Sequence, residues 1–255
     1  MLFFQKMASV YQKKNCAALT FALVVFGLMI ACLTVPWFYW SSTFTMKAGV
    51  ASVGSGTAPL TATTLNSTTI MYDLIGSRTS TQASGSIASF EVYKNLESST
   101  NSNIFSTFKL SQAFVLIALI LSFSLAVILA VFLLDPIRNK AIFALGMTLT
   151  RAILLVVGLL LVASVLIAFL GFLGISAAFK RDQSGCTEGP CRTFSGSVLS
   201  QYDSGAVVSA TNWGPQAGWY IALASTPISL LVIFLIAVNR FPLPIDSEAS
   251  SGEAL

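Results

Sequence analysis

Four runs of this chain are apolar, free of internal charge and long enough to cross a bilayer: 17–40, 111–134, 151–179 and 218–239. The hydrocarbon core is about 30 Å thick and takes about 20 helical residues to cross. It offers no water to the backbone, so each crossing must satisfy its own hydrogen bonds as a helix. Asp135-Pro136 ends the second run and Asn239-Arg240 closes the fourth. Composition agrees: 55% of the residues are hydrophobic and 9% charged, against about 25% charged in a soluble domain. Lipid can solvate that much apolar surface, and the bilayer is the first partner the sequence implies. The fold class expected is an all-α membrane four-helix bundle. The third run is too long for one perpendicular crossing. A tilt would accommodate it, but Gly171, Gly174, Ser176, Ala177 and Ala178 make its end less lipid-like and favour a helix that projects beyond the membrane.

Basic residues near the span ends set the orientation. Segment 1–16 carries Lys6, Lys13 and Lys14 and has no separate apolar core, so it does not read as a cleavable signal. The first span then acts as an uncleaved anchor. Connection 135–150 holds Arg138 and Lys140, Arg151 opens the third span, and Arg240 opens the tail 240–255. These segments are expected in the cytoplasm with both termini, in a multi-pass protein of the plasma membrane. Loops 41–110 and 180–217 are then extracellular. Asn66-Ser67-Thr68 is an N-glycosylation sequon in the first loop. Cys186 and Cys191 frame Thr-Glu-Gly-Pro in the second, where the Gly-Pro turn brings the sulfurs together and an oxidising compartment favours a disulfide.

The first loop is too long for a tether. Segment 37–46 is aromatic and β-branched, with Phe38, Trp40, Phe44 and Met46 on one alternate face. Segment 61–72 is dense in Thr and Ile. Segment 87–96 alternates Ala88, Phe90 and Val92 against Ser89, Glu91 and Tyr93. Gly-rich breaks at 49–56 and 76–85 separate them, and 193–200 in the second loop adds a further strand. The reading is a small antiparallel sheet on the bundle; the alternative is a structureless, glycosylated Ser/Thr loop.

Three local features then carry a likeness. Val35-Pro36-Trp37 stands where the first span turns into a strand. Trp213-Gly214-Pro215-Gln216-Ala217-Gly218-Trp219-Tyr220 leads into span four, and Arg151 opens span three. With four spans, a long strand-rich first loop and a shorter second one, the chain resembles the claudin and peripheral-myelin-protein superfamily. The resemblance implies a helix bundle with a small extracellular antiparallel sheet and a structural or interaction role. The Gly-Leu-Trp and two-cysteine signature of claudin first loops is absent here. The cysteine pair lies in the second loop instead.

The chain has no histidine, which removes the commonest metal ligand and general base, and its ten carboxylates all lie outside the apolar runs. No cofactor and no metal is expected, and the protein does not read as an enzyme. The scattered basic residues form no stripe for a phosphate backbone, so nucleic acid is not a partner. Small residues repeat every fourth position, as Gly27 and Ala31 on span one and Ala118, Ser122, Ala126 and Ala130 on span two. Such stripes let helices approach closely in lipid, within the bundle or between protomers. Trp37, Trp40, Trp213 and Trp219 fall at outer span ends, where an interfacial aromatic belt explains them, and some could wedge beneath the sheet. The function expected is non-enzymatic: self-association in the membrane, adhesion or ordered membrane assembly through the extracellular domain, as a homo-oligomer. The alternative is an auxiliary subunit of another membrane protein, a channel or receptor. A thiol oxidoreductase acting through Cys186 and Cys191 is the weakest of the three readings.

Overall fold

A computed structural model describes residues 2–46, 63–74, 76–83, 89–95, 102–133, 147–183, 186, 188–202 and 207–238. The chain runs as α1 (Leu2–Thr34), β1 (Phe38–Met46), β2 (Thr63–Tyr72), β3 (Gly76–Ala83), β4 (Ser89–Asn95), α2 (Ser102–Phe132), α3 (Met147–Phe172), α4 (Ile175–Asp182), a 3₁₀ turn (Gly189–Cys191), β5 (Gly196–Tyr202), β6 (Val207–Pro215) and α5 (Ala217–Val238). Four of the helices are long and apolar enough to cross a membrane, over Lys13–Thr34, Ser102–Phe132, Leu149–Phe172 and Ala217–Val238. The described residues therefore form a bundle of four apolar helices plus a small open antiparallel sheet.

Three boundaries differ from the sequence reading, each for a local reason. The first helix stops at Thr34 and not near residue 40, because Pro36 lacks an N–H and pushes Val35 toward extended backbone. The third helix does not continue to Phe179. It ends at Phe172, Leu173 and Gly174 close it with short bonds to Leu170 and Gly171 carbonyls, and α4 starts afresh at Ile175. The second helix begins nine residues before 111, at Ser102. Polar Ser and Thr there bond back to their own helix, Ser106 Oγ to the Ser102 carbonyl and Thr107 Oγ1 to the Asn103 carbonyl. Such residues read as loop by composition alone.

The sheet is open and fully antiparallel, in the order β4-β3-β2-β1-β6-β5. Two of its strands go beyond the sequence reading. Residues 76–83 are no Gly-rich break; they form β3. The sequence GSRTSTQA has no apolar alternation, but its Thr and Ser face the Thr-rich β2 across the ladder, Thr79 opposite Ile70 and Thr81 opposite Thr68. β6 occupies a segment that the sequence marks only as the approach to span four. The break at 49–56 lies outside the described residues.

The chain divides into two compact units. The first comprises Met1–Leu28, Ile117–Val165 and Ala224–Leu255 and is helical throughout its described residues. Its packed faces are lined by small and aliphatic side chains, among them Ala18, Ala22, Val25, Ala118, Leu125, Leu161, Val232 and Ile236. Ile120, Phe123, Leu159 and Phe234 point outward, as lipid-facing residues do. A methyl group on Gly158 would meet Ile233 Cγ1 at 2.9 Å, so α3 and α5 approach closely there. Pro227 interrupts the bonding of α5. Ser229 Oγ bonds the Ser225 carbonyl beside it at 2.8 Å. Arg151 at the start of α3 donates from Nη2 to the Ala237 carbonyl, capping the C-terminus of a helix that has no basic residue in its own last turn.

The second unit, Met29–Leu116 with Leu166–Leu223, holds the sheet and an aromatic core. Phe172 lies at its centre, 5.3 Å from Trp37, 5.0 Å from Phe108 and 6.4 Å from Phe38 between ring centroids. Phe38 continues the cluster to Phe179 and Phe194, and Phe194 to Trp219. Most of these contacts are edge-on or tilted, the arrangement the ring quadrupole favours.

Candidate functional site

The candidate site is built where α1 hands over to the sheet and where the disulfide loop meets it. Trp37 sits between the end of α1 and the first turn of α5, fully buried. Its Nε1 donates to the Cys32 carbonyl at 2.7 Å, and its backbone N–H to the Tyr72 carbonyl at 2.7 Å. Gln216 N–H donates to the Trp37 carbonyl and Gly218 N–H to the Pro36 carbonyl, both at 2.9 Å. Only glycine fits at 218: a Cβ there would lie 2.5 Å from Trp37 Nε1. The Pro36-Trp37 and Gly218-Trp219 pairs thus meet in one junction that fixes the frame of β1 and α5.

β1 lies between β2 and β6. Phe38 is opposite Tyr72 and Pro215, Trp40 opposite Ile70 and Trp213, and Phe44 opposite Asn66 and Ser209. Phe38, Trp40 and Phe44 share one face, as their spacing requires. A tight turn links β2 to β3, with Gly76 N–H donating to Asp73 Oδ1 at 2.5 Å and Asp73 N–H to the Gly76 carbonyl at 3.0 Å. Burial pushes the Tyr72 hydroxyl up to about 12, so it stays a neutral member of the aromatic core.

The Cys186–Cys191 disulfide is formed, with Cα atoms 6.0 Å apart. It closes the loop through the Gly189–Cys191 turn, where Gly189 takes a positive φ of 66° and Pro190 and Cys191 are buried. Trp213 anchors this loop to the sheet. Its Nε1 donates to the Thr193 carbonyl at 3.0 Å, and its ring lies so close to Gly196 that a Cβ there would come within 2.8 Å of Cζ2. The result is an open groove of about 830 Å³ lined by Glu188, Arg192, Thr193, Ser195, residues 196–200 and Trp213.

Asp182, at the end of α4, caps α2. Its carboxylate accepts from Asn103 N–H at 3.1 Å, Asn103 Nδ2 at 2.6 Å and Ile104 N–H at 2.8 Å. Desolvation works against its ionised form. The bonds from Ile104 and Asn103 outweigh that and hold the carboxyl below its ordinary range.

The other residues singled out in the sequence fall in distinct places. Trp37 and Trp213 are buried with bonded indoles, the wedge placement that the sequence also allowed. Trp40 is half-buried within β1, with its Nε1 desolvated and unbonded among the described residues. Trp219 sits in the first turn of α5, half-buried, and donates to the Phe169 carbonyl at 3.2 Å. Asn66 stands mid-strand in β2, with its Oδ1 buried. On α2, Ala118, Ser122 and Ala126 are buried and Ala130 is exposed. On α1 the buried face runs through Ala18, Ala22, Val25, Met29 and Cys32 instead. Gly27 is exposed, a methyl group there would meet nothing within 4 Å, and Ala31 is half-buried. Among the described residues, Gly27 thus makes no close approach to a neighbour. Sequence reasoning missed Asp182, Gly196 and Leu199. Nothing local marks any of the three, since Asp182 ends α4 in sequence and meets the start of α2 only in the fold.

Among the described residues, no group of three or more His, Cys, Asp or Glu gathers as a metal site requires. No protein-family model matches the chain, and no curated protein matches it in sequence.

Proposed function

We propose that this chain is a non-enzymatic structural and interaction protein, claudin-like in kind, that associates with copies of itself through a sheet displayed outside the cell and so supports adhesion or an ordered membrane array. The observation that carries this reading is the construction of the sheet unit. Six strands are locked to the ends of α1 and α5 through Trp37 and Gly218 and clipped by a disulfide. Such rigidity serves presentation of a surface. The likeness to claudins rests on the four spans, the strand that continues from the first helix, and the Trp37–Gly218 junction. Both termini lie in the cytoplasm in this reading, at the plasma membrane. Asn66 is then glycosylated before β2 closes between β1 and β3, and a mobility shift on glycosidase treatment checks that.

Imaging the protein in its native membrane tests the proposal. Lattices or junctional contacts are expected; a strictly monomeric protein in both native membranes and detergent overturns it. Co-purification with one distinct membrane protein at fixed stoichiometry would mark an auxiliary subunit instead. A redox activity abolished by Cys186→Ser with Cys191→Ser in a still-folded protein would mark an oxidoreductase.

A further inference from the structure

Resting on glycosylation of Asn66, we propose that the glycan has a seat on the protein: the first sugar of the N-linked chain, an N-acetylglucosamine, lies with a C–H face on the ring of Phe44. Both residues belong to the sheet unit, at the end of β1 and β2 away from the aromatic core. Phe38 marks the packed end of β1, buried among Tyr72, Phe172, Phe179 and Phe194. Phe44 stands farther along the same strand, about 20 Å away at the usual strand rise. It is 37% exposed, and among the described residues no other ring contacts it.

The strand pairing aims a sugar on Asn66 at that ring. Asn66 lies directly opposite Phe44 on β1 and opposite Ala83 on β3. Directly opposed side chains of an antiparallel pair point to one face, with Cβ atoms about 5 Å apart. β2 is bonded along both edges at this point, so the sugar cannot leave sideways. It leaves from the face of the sheet, past Phe44. The register between β1 and β2 also slips here: Phe44 pairs with Asn66 but Thr45 with Thr64, which leaves Leu65 without a partner on β1. A bulge of this kind bends its strand and re-aims the side chain beside it. Oδ1 is the covered end of the Asn66 amide and accepts no bond among the described residues, so the nitrogen is the end left to carry a sugar. The C–H groups of a sugar ring are weakly positive and the face of an aromatic ring is negative. Stacking the two takes the exposed part of Phe44 out of water without disturbing the ladder.

The test uses the full-length protein from a host that adds high-mannose N-glycans. Three forms are compared: the intact glycoprotein, the form trimmed by an endoglycosidase to a single N-acetylglucosamine, and Asn66→Gln, which carries none. The single sugar is expected to raise the folding equilibrium constant about two- to tenfold over Asn66→Gln, the range of an aromatic stacking contact. Phe44→Leu is expected to remove that gain and Phe44→Tyr, which keeps the ring, to retain it. Hydroxyl-radical footprinting reads the coverage itself. Labelling of Phe44 is expected to drop when the single sugar is present, whereas that of Tyr39, on the other face of β1, is expected to stay level. Retention of the Cys186–Cys191 disulfide shows that each variant is folded. If Asn66 carries a sugar but Phe44 labels equally with and without it, or Phe44→Leu keeps the full gain, Phe44 is not the seat while glycosylation stands. If Asn66 carries no sugar, both fall, and self-association is judged separately by imaging.

Discussion

In the helical unit, hydroxyls mostly turn back onto their own helix. Ser122 bonds the Leu119 carbonyl, Ser164 that of Leu160 and Ser229 that of Ser225. Arg151 reaches farther, to the Ala237 carbonyl. In the sheet unit, the hydroxyls of Ser106 and Thr107 also turn back onto their helix, but other polar groups reach across the chain: Asp182 to Asn103 and Ile104, Ser111 to Ala168, Trp213 to Thr193 and Trp219 to Phe169. Apolar groups divide the same way. One unit packs alanine and leucine and turns large side chains outward; the other gathers its rings inward. A helix in lipid gains nothing from hiding hydrocarbon, so it satisfies polar groups locally and packs by shape. A sheet domain facing water needs a buried core and long-range ties.

The contrast can be broken most strongly at phenylalanine. Phe172→Ala is expected to cost about 3–5 kcal/mol, as a buried ring leaves a cavity. Phe123→Ala, 53% exposed on α2, is expected to cost well under that, since lipid fills the space. Chemical unfolding in a fixed detergent and lipid mixture measures both. Gly218→Ala comes next, at about 1–3 kcal/mol from overpacking against Trp37. Gly27→Ala, with open space around it, is expected within about 0.5 kcal/mol of wild type. Equal losses at the two glycines would erase the difference between the units. Replacing Cys186 and Cys191 with Ser opens a short loop and is expected to cost about 2 kcal/mol in the chain-entropy picture, read as a lower melting temperature of the sheet unit.

The smallest effect is electrostatic. Asp182→Ala removes a helix cap worth about 1 kcal/mol, whereas Asp182→Asn keeps one capping oxygen and loses only the charge. The folded carboxyl lies below its unfolded value, so its stabilisation is present above the unfolded pKa and is lost as pH falls through the folded one. Wild type is expected to lose stability on acidification, and Asp182→Asn, lacking the titrating group, to show a flatter profile. Parallel profiles would remove Asp182 from the account.

The helices were legible because hydrocarbon imposes length and apolarity on every residue of a span. β1, β2 and β4 were legible through aromatic and β-branched content. β3 was not, since a Ser/Thr strand between two partners needs no apolar side; its ladder supplies what alternation would have signalled. The disulfide was legible from spacing. Its anchor was not, because the fit of Trp213 against Gly196 depends on a strand pairing no local pattern encodes. Gly27 and Ala31 show the converse limit, for a small-residue repeat states what a helix permits and leaves open which neighbour uses it.

β1 is flanked by β2, which follows it closely, and by β6, which is made only after two further spans. Translation at about 5–20 residues per second leaves that second flank of β1 open for about ten to thirty seconds. The nascent sheet is therefore half-built while the membrane insertion machinery is still at work. Chains released before residue 207 are expected to be protease-sensitive at β1 and prone to aggregate, so that quality control of this protein acts on a central strand waiting for its last neighbour.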